Sequence, residues 1–73
     1  MDVKDIGKTI KTAREARGAT RHRMGKMTRL HPETIVNIEE GYTGYNIFAL
    51  MTYCIALGFD ITVTPKIQQQ NGK

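Results

Sequence analysis

Only one cysteine, Cys54, occurs in the 73 residues, and it lies inside an apolar stretch. That leaves no disulfide framework and no cysteine-built metal site, and it fits a reducing compartment. No apolar run approaches the length that spans a bilayer, and the opening MDVKDIGKTI lacks the apolar character of a secretory leader. A cytoplasmic protein without membrane association is expected. Chemical groups are equally sparse. His22 and His31 have no metal-ligand spacing, and there is neither a glycine-rich phosphate loop nor a nucleophile elbow. No enzyme activity, metal or cofactor is expected. A chain of this size has room for one domain whose core supplies little stability, so a partner is expected to supplement it.

Acid is missing from one stretch in particular. Between Glu15 and Glu33 there is none, while five Lys or Arg residues and His22 accumulate. Residues 1–30 hold nine basic against three acidic side chains (+6), and residues 31–73 hold two against four (−2), which together give the net charge of +4. Such a field attracts polyanions and speeds encounter with them. A solvated helix face would show the same pattern, so charge alone decides nothing.

Caps and glycines divide the chain. Asp5 is a candidate cap for a first helix with Ile6, Ile10 and Ala13 inward, and Gly18 ends it. Thr20 caps a second helix, with Met24 and Met27 inward. Pro32 suits the first turn of a third helix, Glu33 sits at the positive end of its dipole, Ile35 and Ile38 point inward, and Gly41 closes it. Asn46 caps a fourth helix, whose apolar side is expected from Ile47, Leu50, Met51, Cys54 and Leu57. The methionine and isoleucine stripes read as core.

The period then changes. FDITVTP alternates Phe59, Ile61 and Val63 with polar residues, a strand pattern over residues 59–66. A lone strand needs a partner for its backbone groups, and an identical strand across a two-fold axis is the simplest. A homodimer interface at Phe59, Ile61 and Val63 is the expectation, with an extended segment packed on its own bundle as the alternative. Residues 67–73 are polar and read as a disordered tail.

The stretch GATRHRMGKMTRLHPETIVNIEEG resembles, without a gap, the helix-turn-helix of the Cro and phage-repressor (XRE) family. Gly18, Ala19 and Thr20 open the pattern, Met24 and Gly25 take its Leu-Ala places, and Ile35, Ile38, Glu39 and Gly41 close it. IGKTIKTAREARG is similar to the family's first helix and LMTYCIALG to its fourth, so the resemblance covers residues 5–58. It implies an all-α, lambda-repressor-like bundle of four helices in residues 1–58, encoded by a prokaryote or phage. Arg14 and Glu39 would then form a salt bridge between the first and third helices, unless they are two unrelated surface charges. Gly25 would mark a close helix crossing. The sequence also departs from the family. Arg29 stands at the turn position where Gly is usual, His31 replaces a Ser or Thr cap, and Arg21 occupies a place where Gln often contacts a phosphate.

With Ile35 and Ile38 inward, Pro32, Glu33, Val36, Asn37 and Glu40 remain outward. The resemblance implies that this helix enters the major groove of double-stranded DNA. Asn37 could pair with adenine, Glu33 accept from a cytosine amine, Val36 meet a thymine methyl, and His31 reach a base or phosphate. For Glu33 and Glu40 a bland reading, as a dipole partner and a solvated acid respectively, stands level with a functional one. Thr20, Arg21, Tyr42 and Thr43 are candidates for the phosphate backbone, whereas Tyr45 and Tyr53 read as packing residues. The leading expectation is a homodimeric, sequence-specific DNA-binding repressor. The alternative is an antitoxin with a protein toxin partner, because ALGFDITVTPK resembles the strand that follows the fourth helix in HipB-type antitoxins.

Overall fold

A computed structural model describes residues 2–61. Four helices make up the described chain: α1 (Val3–Ala16), α2 (Arg21–Thr28), α3 (Pro32–Glu40) and α4 (Ile47–Ala56), with no strand among them. None is long and apolar enough to cross a membrane.

Local chemistry sets each boundary. Asp2, not Asp5, caps α1: its carboxylate accepts from the amides of Lys4 at 2.9 Å and Asp5 at 3.0 Å. Asp5 returns the favour as the third residue of a capping box, accepting from the Asp2 amide. Two acids three apart can each start a helix, and the earlier one wins here because the box satisfies additional backbone donors. Thr20 and Asn46 cap α2 and α4 through their side-chain oxygens. Gly18 and Gly41 take left-handed backbone after α1 and α3. Arg29 does the same after α2 with φ 63°, the one non-glycine residue with positive φ among those described. That conformation crowds a side chain's Cβ, so α2 ends on a strained residue.

The core comprises Ile10, Met24, Ile35, Ile38, Tyr53 and Leu57. α3 is its centre, flanked by α1, α2 and α4. Two helices present faces other than those expected from their apolar residues. In α2 Met24 is buried but Met27 is exposed. The inward stripe is Arg21, Met24, Gly25 and Thr28, spaced i, i+3, i+4, i+7 and mostly polar. In α4 the inward stripe is Leu50, Tyr53, Cys54 and Leu57, while Ile47 faces water and Met51 is half-buried. That helix is apolar on every side, so hydropathy alone could not choose its face.

α1 crosses α3 at Gly7. A Cβ there would press into the Ile38 carbonyl and stand 2.6 Å from the Glu39 carbonyl oxygen. At Gly25, the expected crossing point, a Cβ would meet Leu30 O at 3.5 Å and Ile35 Cδ1 at 3.6 Å, which is ordinary contact. The close approach therefore belongs to Gly7. Beyond α4, Phe59 folds back half-buried against the core. Phe59, Asp60 and Ile61 form no strand, and Val63 with the rest of the expected strand lies outside the described residues.

Candidate nucleic-acid interface

Glu39 organises the inner side of α3. Its side chain is fully buried, and it accepts from Arg14 Nε at 2.7 Å and Arg14 Nη2 at 3.1 Å, a two-point pairing. Arg21 Nε donates to the same carboxylate at 2.9 Å, and the Tyr53 hydroxyl donates a further hydrogen bond. Arg14 Nη1 also donates to the Ala19 carbonyl at 2.8 Å, tying α1 to the chain just before α2. Burial pushes the Glu39 carboxyl up, but donors from Arg14, Tyr53 and Arg21 outweigh it and hold the group below the ordinary carboxylate range. Burial and the Glu39 carboxylate together raise the Tyr53 hydroxyl, which stays protonated as a donor. The hydrogen bond to Glu39 likewise raises Arg14 against an opposing burial effect.

Glu40 extends this network to the surface. It accepts from Arg21 Nη2 at 2.8 Å and lies 3.7 Å from Lys11 Nζ. Arg21, expected as a phosphate contact, thus has its guanidinium held between two carboxylates. Glu40, for which a solvated acid and a functional role stand level in the sequence, has two cationic neighbours.

α2 and α3 are joined by three residues, Arg29 to His31. Thr28 Oγ1 donates to the Met24 carbonyl at 2.7 Å and accepts from the Leu30 amide at 3.2 Å, which shapes the start of the turn. His31 Nδ1 accepts from the Glu33 amide at 3.3 Å, so this histidine caps α3 and leaves Nε2 as its other polar atom. Between the two helices runs a groove of about 350 Å³, lined by Arg21, His22, Lys26, Pro32 and Val36 among others.

The expected contact residues divide into groups. His31, Pro32 and Glu33 are exposed at the start of α3, with Val36 half-buried one turn on. Asn37 is half-buried, and its side-chain nitrogen faces Gly44, where a Cβ would lie 3.5 Å away. Tyr42 and Thr43 are exposed in the loop after α3, and Thr20 is exposed at the cap of α2. Three cations of the acid-free interval are not among the individual contact candidates of the sequence. Arg23, Lys26 and Arg29 are exposed and enter no ion pair among the described residues. Their signal was the acid-free interval itself, which does not say which cations are spoken for. Among the described residues, no three His, Cys, Asp or Glu side chains cluster as a metal site.

The chain matches no protein-family model, and no curated protein is similar to it in sequence.

Proposed function

We propose that this chain is a sequence-specific DNA-binding regulator of the helix-turn-helix kind, most simply a repressor, with α3 in the major groove. The observation that carries the reading is the pairing of α2 and α3 across a three-residue turn. α3 has a locked inner face and an exposed first turn, so its early side chains are available to base edges while the helix itself is held rigidly. Glu33 and Val36 are the base-reading candidates, with His31 at the edge and Asn37 toward the other end. The phosphate contribution falls to Arg23, Lys26 and Arg29, whose charges are not already spent within the described residues. Tyr42, Thr43 and Thr20 supply neutral donors at the two flanks.

Two copies related by a dyad would favour an inverted repeat with half-sites about 10 bp apart or a multiple of that. Selection of bound sites from random duplex DNA tests binding, sequence and spacing together. Enrichment of a short palindromic element is the expected outcome. Recovery of unenriched DNA, or of none at low salt, would overturn the reading.

A further inference from the structure

The outer face of α4 has no role in the fold described above. Phe48 is 75% exposed, Ile55 61% and Ile47 59%, and half-buried Met51 lies between them. These residues, at i, i+1, i+4 and i+8, form one stripe opposite the buried Tyr53 and Leu57. A helix that is apolar on all sides is stable in water only when both sides are covered. From Gly41 to Phe59 no residue is charged, whereas the rest of the chain carries the whole net charge of +4.

We infer that this face is a self-association surface whose occupant is α4 of a second copy. Charge and composition select that occupant. Two copies of like charge repel wherever their basic α1 and α2 surfaces meet, and the uncharged α4 stripe is where they can approach without burying an unpaired ion. A partner of acidic character would instead be drawn to the basic surface. A two-fold pairing sets the same stripe against itself and removes both from water at once. The interface then lies on α4. This inference does not rest on DNA binding, and its test uses no DNA.

Sedimentation equilibrium of the full chain reads it directly. The expected species has twice the chain mass. A Phe48→Glu, Ile55→Glu double variant should associate roughly tenfold more weakly or not at all, with helical circular dichroism unchanged because both positions are exposed. Ile61→Asp should remain dimeric. Concentration-dependent amide shifts of the unmodified protein give a reading without substitution, and they should centre on Ile47, Phe48, Met51 and Ile55. A wild-type monomer up to high micromolar concentration would overturn the inference, leaving the face to a different protein. So would a folded double variant that stays dimeric, a dimer lost only in Ile61→Asp, or shifts confined away from α4.

Discussion

Burying the Glu39 carboxylate carries a desolvation cost of several kcal/mol, which is offset by Arg14, Arg21 and the Tyr53 hydroxyl. Removing a buried partner of this kind costs about 3–5 kcal/mol, against a total of roughly 5–15 kcal/mol for a small domain. The sign of its pH dependence follows from the lowered pKa in the folded state. The network stabilises fully above the unfolded carboxylate value, about 4.3, and its contribution fades as pH falls through the folded value. Glu39→Gln should therefore be less stable than wild type by about 3 kcal/mol at pH 7, and that gap should narrow in urea unfolding at pH 3. A gap of equal size at both pH values would contradict the assignment. The pairing of Arg14 with Glu39 was suggested by family spacing. The other two donors were not, because α1, α2, α3 and α4 all converge on one carboxylate from distant parts of the sequence.

At the scale of elements, helix existence and helix facing separate cleanly. Caps and glycines are local, so the four helices could be placed from Thr20, Pro32, Gly41 and Asn46. Facing depends on what lies across the interface. The α1–α3 crossing is tight at Gly7, because backbone carbonyls of α3 occupy the space a side chain would take. Gly7→Ala should destabilise by about 1–3 kcal/mol through forced displacement of the two helices. Gly25→Ala, which meets only ordinary contacts, should instead be neutral or stabilising by up to about 1 kcal/mol from helix propensity. Paired thermal melts decide this, and the reverse ranking would move the close crossing to α2.

For the whole molecule, charge and apolarity are segregated. Among the described residues, exposed cations outside any ion pair lie on α1, at its end, on α2 and in the turn after α2, and the uncharged stripe lies on α4. If DNA is bound through Arg23 and Lys26, replacing either with Ala should reduce the slope of log K against log salt by about 0.9. Arg21→Ala should leave that slope nearly unchanged and lower the melting temperature instead, since its guanidinium serves Glu39 and Glu40. A slope reduced by Arg21→Ala alone would return the phosphate contact to that residue.

Sequence by itself determined where α2, α3 and α4 start and where α1 and α3 stop, because capping and left-handed turns involve residues within a few positions of one another. It also determined the basic character of residues 16–29, which is a matter of composition. Only tertiary structure decided which arginine is free and which is held, which face of the all-apolar α4 is buried, and which glycine admits a crossing helix. Each of those depends on atoms brought together from separate segments, and periodicity along one segment carries no record of them.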